Sequence, residues 1–290
     1  MPLPCIRAAR QFDISAHRPF WMGGERVGWL READAAWLLS QWPDTFVAAA
    51  DSRGPHVALH ARFDDVPARS AALGAVIDAL AAMGKIPGWR NETYAIRNAF
   101  DAPPLALIER AASRFFGTMT WAVHLNGIVQ AAQGAHPAPR LWIARRSATK
   151  ATDPGMLDNI VAGGIGWGFD VMQTLVKECD EEAGMDASLA LRATAGRCVH
   201  VLAPLPEGTQ VEQIFVYDLV LPKDFVPRNR DGEVSEHRRM TVDEVTHQIA
   251  QGAMTVDASL ATLDCLLRHQ WIDAMFCMGI DALFCAPSSL

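Results

Sequence analysis

Lys177-Glu178-Cys179-Asp180-Glu181-Glu182-Ala183-Gly184-Met185 carries four carboxylates within nine residues. On a helix, Glu178, Glu181 and Glu182 stand at i, i+3 and i+4, so three carboxylates share one face. Like charges so placed repel one another. A hard divalent cation removes the conflict, because Mg²⁺ takes carboxylate and water oxygens together with substrate phosphates. Leu175, Val176 and Cys179 supply the apolar positions that pack such a helix on a sheet. An acidic triplet alone also fits a solvated helix face. Just upstream, Gly163-Gly164-Ile165-Gly166-Trp167-Gly168 allows a tight loop whose backbone can approach the helix and a phosphate. The two features together at a fixed spacing carry more than either alone.

Working outward, Asp170 to Ala183 has helical period, with Gly184 as terminator. Thr118 to Ala131 and Arg140 to Ala144 read as strands joined by a turn from Gln133 to Pro139. Ile214 to Leu221 reads as a strand and 222–232 as a loop. Thr241 to Gly252 reads as a helix capped by Thr241 with Glu244 three residues on, and Ala258 to Trp271 as another helix. Before this region, helices are expected over Glu32–Trp42, over Ala71–Met83 ending at Gly84, and over Leu105–Phe116. Short strands are expected over Phe46–Ala50 and Val57–Phe63. The change of texture places a domain boundary near Gly117, giving an N-terminal α+β domain, 1–117, and a second domain, 118–290.

The segment Gly163 to Met185 resembles the Nudix box, G-x5-E-x7-R-E-U-x-E-E-x-G-U with U apolar. Gly163, Glu178, Glu181, Glu182, Gly184 and Met185 match it position by position. Lys177 stands where the pattern has arginine, keeping the charge but losing the bidentate fork. Phe169 stands in place of the first glutamate. The likeness extends through Trp142 to Ser147, Lys150, Pro154-Gly155-Met156, Asp158-Asn159 and Asp231-Gly232-Glu233-Val234. Trp89 to Tyr94 and His124 to Gly127 share it. These segments are similar to a two-domain branch related to the Nudix part of fungal thiamine pyrophosphokinase proteins.

The resemblance implies a Nudix α/β/α sandwich with a mixed sheet, preceded by a smaller α+β domain. It implies Mg²⁺-dependent hydrolysis, with Mn²⁺ as an alternative ion, of a small organic diphosphate such as thiamine diphosphate or its oxidised analogues. It also implies that Glu178, Glu181 and Glu182 are metal ligands and catalytic groups, with the backbone at Gly163 adding a metal contact. Glu233 is a candidate fourth carboxylate, an exposed turn residue being the alternative, and Glu236 is a weaker one.

Arg145, Arg146 and Lys150 are candidate phosphate-holding residues. On one strand, Arg145 and Arg146 point to opposite faces, so at most one of them faces the site. His124 and Asn126 share a strand face, as a hydrogen-bonded core pair or as substrate contacts. Trp89 is a packing residue of the N-terminal domain or a platform for an aromatic ring.

Composition narrows the function classes. With 50% hydrophobic and 20% charged residues, the 290-residue chain has the make-up of a folded protein. The net charge of −7 argues against broad nucleic-acid binding, which needs basic patches. Residues 1–117 hold 12 acidic and 13 basic groups, and 118–290 hold 21 and 13, so the acidity belongs to the second part. No apolar run suits a membrane helix, and Met1–Asp13 lacks the apolar core of a signal peptide. Six scattered cysteines read as reduced thiols of a cytoplasmic protein. The N-terminal domain is expected to shape the substrate pocket or a homodimer interface. Two alternatives are an isopentenyl-diphosphate isomerase-like enzyme, for which no Cys-Ser-His context is present, and a non-catalytic Nudix-like binding module, which Phe169 favours.

Overall fold

The computed structural model describes residues 2–52, 54–130 and 139–285. In the N-terminal part, α1 (Pro4–Ala8) precedes β1 (His17–Met22), β2 (Glu25–Arg31), α2 (Glu32–Gln41), β3 (Phe46–Asp51), β4 (Gly54–Leu59) and α3 (Val66–Ala82). The strands form a sheet in the order β2-β1-β4-β3, antiparallel except for the β1·β4 pair. Phe20, Phe46, Leu38, Leu73, Ile77 and Leu80 close one core on this sheet. Asp65 caps α3 by accepting from the Ala68 N–H, and Pro67 suits the helix's first turn because the missing N–H needs no partner there.

The expected helix over Leu105–Phe116 is instead a strand and a short helix. β5 (Thr93–Ile96) pairs antiparallel with β6 (Ala106–Glu109), and α4 (Ala112–Phe116) follows. Ala106 and Ile108 turn inward while Leu107 and Glu109 are less covered, which is strand alternation. The segment is apolar enough for either period, and its pairing with Thr93–Ile96 decides.

The second part runs β7 (Met119–Val129), β8 (Arg140–Arg146), β9 (Leu157–Asn159), β10 (Val161–Gly164), α5 (Val171–Ala183), α6 (Ala187–Ala190), β11 (Thr194–Leu205), β12 (Gly208–Val220), β13 (Val234–Thr241), α7 (Val242–Ala250) and α8 (Val256–Arg268). The expected turn from Gln133 onward, up to Ala138, and the strand end at Ala131 lie outside the described residues. The mixed sheet has the order β11-β12-β7-β8-β13, with β10 on β7 and β9 on β8; β12 and β7 are parallel.

Alternation along β7 divides the layers. Trp121, Val123 and Leu125 face a core shared with Leu175, Cys179 and Ala183 of α5. Ala122 faces the opposite core, built with Ile214, Val216 and the apolar side of α8. The result is a Nudix-type α/β/α sandwich behind a smaller α+β unit.

The two parts meet along β12 and the glycine-rich loop. The Trp167 N–H donates to the Thr93 carbonyl (2.8 Å). Arg31 donates to the Pro206 carbonyl (2.7 Å), and Arg114 pairs with Glu207. Near this seam, the Gln210 amide donates to both Glu212 (2.7 Å) and Asp257 (2.9 Å), bringing two carboxylates together.

Burial, then the neighbouring Glu212 charge, pushes the Asp257 carboxyl up to about 7, and its Oδ1 is sealed from water without a partner. The folded state therefore holds this proton more tightly than the unfolded chain does. Asp257 opposes folding increasingly as pH rises from about 4 toward 7. Asp257→Asn should leave stability at pH 4 little changed and raise it at pH 8 by on the order of a few kcal/mol. Urea unfolding at both pH values checks this, and equal effects at both would refute it.

Candidate active site

α5 opens with a capping box, in which Asp170 accepts from the Gln173 N–H and Gln173 returns the bond to the Asp170 N–H. It closes at Gly184 with φ 62°. Leu175, Cys179 and Ala183 are buried on its sheet side, which turns Glu178 and Glu181 toward the glycine-rich loop and solvent. Glu182 is 5% exposed, and its Oε2 accepts from the Ala162 N–H (2.8 Å) on the edge of β10 that β7 leaves open. Gly163 lies directly against Glu178: a Cβ there would stand 2.5 Å from Glu178 Cγ and 2.7 Å from its Oε1. The backbone of the loop and the carboxylates of the helix thus share one small volume.

Electrostatics mark the same place. Burial raises the pKa of Glu178, with Glu181 and Glu233 adding to the rise and Lys177 opposing it. Burial raises Glu182 well above the carboxylate range, against the Ala162 N–H, and Glu178 and Asp158 push the same way. Lys177 donates to Glu178 (3.0 Å) and Glu181 (2.7 Å). These pairings outweigh its burial and hold its pKa above that of a free lysine. A buried carboxylate flanked by others is costly as an anion and is relieved by a cation beside it. Carboxylate oxygens and the Gly163 carbonyl are hard donors suited to a divalent ion, and a Cβ at Gly163 would fill the cradle. Glu178, Glu182 and Gly163 therefore fit a metal, while Glu181, one turn along the helix from Glu178, is held by Lys177.

Glu233 belongs to this neighbourhood. It pairs with Lys150 and stands 3.8 Å from Arg90. Burial works against its charge, but Lys150, with Arg90 and Arg110 beyond it, holds its carboxyl below the usual range. The structure separates the two strand arginines. Arg146 donates to Asp158 (2.7 Å) and the Thr152 carbonyl (2.9 Å), bracing the loop that carries Lys150. Arg145 turns to the Gly155 carbonyl (2.7 Å) and to Glu236 (3.5 Å). Glu236 also pairs with Arg238 (2.5 Å).

His124 and Asn126 lie in a buried network beneath the sheet. His124 meets Asn159 (2.8 Å), and Asn126 donates to Asp218 (3.1 Å) and the Ala261 carbonyl (3.2 Å). Trp89 donates to Asn91 (2.9 Å) and is 41% exposed; Phe169 is 49% exposed beside the α5 N-cap.

From the sequence, the N-terminal domain is expected to shape the pocket or a homodimer interface, but neither Tyr94 nor Arg110 is singled out. A Cβ on Gly164 would overlap the Tyr94 hydroxyl and stand 3.2 Å from Arg110 Nη2. Glu92 pairs with Arg110 (2.7 Å). Trp89 to Tyr94 carried a signal as part of the resemblance, whereas Arg110 carried none, since its place depends on the β5–β6 pairing. A separate cleft of ≈ 640 Å³ opens at the start of α5, lined by Asn98, Phe100, Asp101, Met172, Gln213 and Phe215 among others.

A model described as "NUDIX domain" matches residues 123–260. Nudix hydrolase 24, chloroplastic, of Arabidopsis thaliana is 38% identical over 252 residues, which span 87% of this chain and 67% of that protein. The chain belongs to the Nudix hydrolase family. It is a hydrolase acting on phosphorus-containing acid anhydrides. Nudix hydrolase 20, chloroplastic, of the same plant is 36% identical over 88% of this chain and 68% of its own length. An uncharacterized protein of Saccharomyces cerevisiae is 33% identical over 64% of this chain and 57% of its own length. A model described as "Domain of unknown function (DUF4743)" matches residues 3–120. No support for an isomerase emerges, and among the described residues no helix is long and apolar enough to cross a membrane.

The contact between Gly163 and Glu178 is directly testable. Gly163→Ala should displace the Glu178 carboxylate and lower divalent-metal affinity by roughly 10–100-fold with the fold retained. Metal titration beside far-UV circular dichroism reads both effects, and unchanged affinity would show that the contact does not position Glu178.

Proposed function

We propose that this chain is a Mg²⁺- or Mn²⁺-dependent pyrophosphohydrolase of a small organic diphosphate, with thiamine diphosphate and its oxidised analogues as the first substrates to test. The observation that carries the reading is the packing of Glu178 against Gly163 and of Glu182 on the neighbouring Ala162 N–H, within reach of Glu233, which Lys150, Arg90 and Arg110 hold in its charged form. In this reading Glu178, Glu181, Glu182 and the Gly163 carbonyl hold the metal, and Glu233 stands by as a further carboxylate. Bound there, the ion polarises phosphoryl oxygens and acidifies a water.

The chain's own groups then orient the diphosphate and take up the proton of the attacking water. Glu178, Glu181 and Glu182 are the candidate bases. Lys150 offers positive charge to the outer phosphate. We assign the organic group to the cleft lined by Phe100 and Phe215, whose rings suit an aromatic heterocycle. The N-terminal domain is 1–117 and the Nudix domain 118–290 in this assignment. Free cysteines throughout accord with a reducing compartment such as the cytoplasm.

A screen of diphosphates with Mg²⁺ or Mn²⁺ tests the reading: thiamine diphosphate, its oxidised forms, nucleotide sugars, ADP-ribose and dinucleotides. Turnover of one class is expected, with a loss in kcat of at least about 100-fold in Glu182→Gln while the unfolding transition stays cooperative. Near-normal turnover of that variant would sink the assignment.

A further inference from the structure

We infer that the N-terminal unit completes the active site: the β5–β6 hairpin supplies Arg110, assisted by Arg90, as a phosphate-binding residue of the Nudix centre. Arg110 follows β6 directly, and the hairpin is pinned to the box loop by the bond from the Trp167 N–H to the Thr93 carbonyl (2.8 Å). Its guanidinium lies over Gly164, next to the residue that cradles Glu178, and beside the Tyr94 hydroxyl. Only a glycine allows this approach, so the glycine run serves the hairpin as well as the metal helix.

Several acidic groups already surround Arg110. Glu92 binds it at 2.7 Å, Glu212 lies within electrostatic reach, and its field extends to Glu233. Yet its side chain keeps 42% of its accessible surface, as Arg90 keeps 36%. Glu92 occupies one edge of the guanidinium through Nη1. A planar fork with five donors can hold one carboxylate and still offer N–H groups to a phosphate. Arg90 and Arg110 lie within electrostatic reach of Glu233, and the Tyr94 hydroxyl beside Arg110 within reach of Glu178, so a diphosphate at the carboxylates could extend to these cations. The ligand class is a diphosphate, read by the guanidinium independently of the organic group. The DUF4743 part thereby becomes a functional half of the catalytic centre.

The inference rests on the pyrophosphohydrolase reading, but its test runs without metal. Inorganic pyrophosphate is titrated calorimetrically into the full chain in EDTA. Wild type should bind, Arg110→Ala should weaken binding at least about tenfold, and Arg110→Lys should recover part of the loss. Glu92→Gln removes the ion pair but keeps the arginine. It should bind pyrophosphate at least as tightly as wild type. Glu182→Gln should bind as well as wild type in EDTA although it fails in Mg²⁺-dependent turnover, which separates failure of the inference from failure of the functional reading. Unchanged binding in Arg110→Ala, absent binding in wild type, or equal losses in Arg110→Ala and Glu92→Gln would overturn the assignment.

Discussion

β10 clasps α5 at two points. The Ala162 N–H binds Glu182, and Gly163 presents a bare backbone to Glu178. Both residues pair with β7 on one side of the strand, and the Ala162 N–H on the other side is free for a carboxylate. The helix cannot slide without breaking them, because Leu175, Cys179 and Ala183 lock its opposite side into the core. Burying the Glu178 and Glu182 carboxylates against so small a segment is unfavourable in isolation. The apolar packing of α5 and the caps at Asp170 and Gly184 supply the compensation.

From that clasp the arrangement spreads to the second half of the molecule. Gly164 is the next residue on the strand, and alternation turns its vacant side-chain position to the opposite face. Tyr94 and Arg110 occupy the space a side chain would take. Two adjacent glycines therefore receive two different partners, one from the metal helix and one from the N-terminal hairpin. The seam is reinforced away from the site by Arg31 on the Pro206 carbonyl and by Arg114 with Glu207. Such ties hold the hairpin in register with the box loop, a precondition for any side chain of β5 or β6 to act there.

What the sequence made legible was local. The acidic triplet and its glycine loop lie within one contiguous segment, and the Thr241–Glu244 capping box marks the start of α7 within four residues. The strands β1 and β2 and the partners β11 and β13 were not read. Their pairings are long-range, and mixed burial along them blurs the period of two. Residues 105–116 show the limit most sharply. Leu105, Ala106, Leu107 and Ile108 satisfy a helix or a strand equally, and only the Thr93–Ile96 partner makes them a strand. Arg110 was illegible for the same reason. Its position is a consequence of that pairing and of the contact across the seam, neither of which has a signature in the residues beside it.

Charge connects these observations. The excess acid of residues 118–290 concentrates partly in Glu178, Asp180, Glu181 and Glu182, whereas the N-terminal part has nearly equal numbers of acidic and basic groups. Folding brings Arg90 and Arg110 from that balanced part toward Glu233, Glu178 and Gly164. Lys150 from the loop after β8 joins them, and Arg146 braces that loop from Asp158. A site made only of carboxylates would repel the anionic substrate of an anhydride hydrolase. One made only of cations would not hold a metal. Dividing the two signs between the box helix and the surrounding loops lets each keep its charge. The division requires cations delivered from outside the box, and the docked N-terminal unit is the physical means by which two of them arrive.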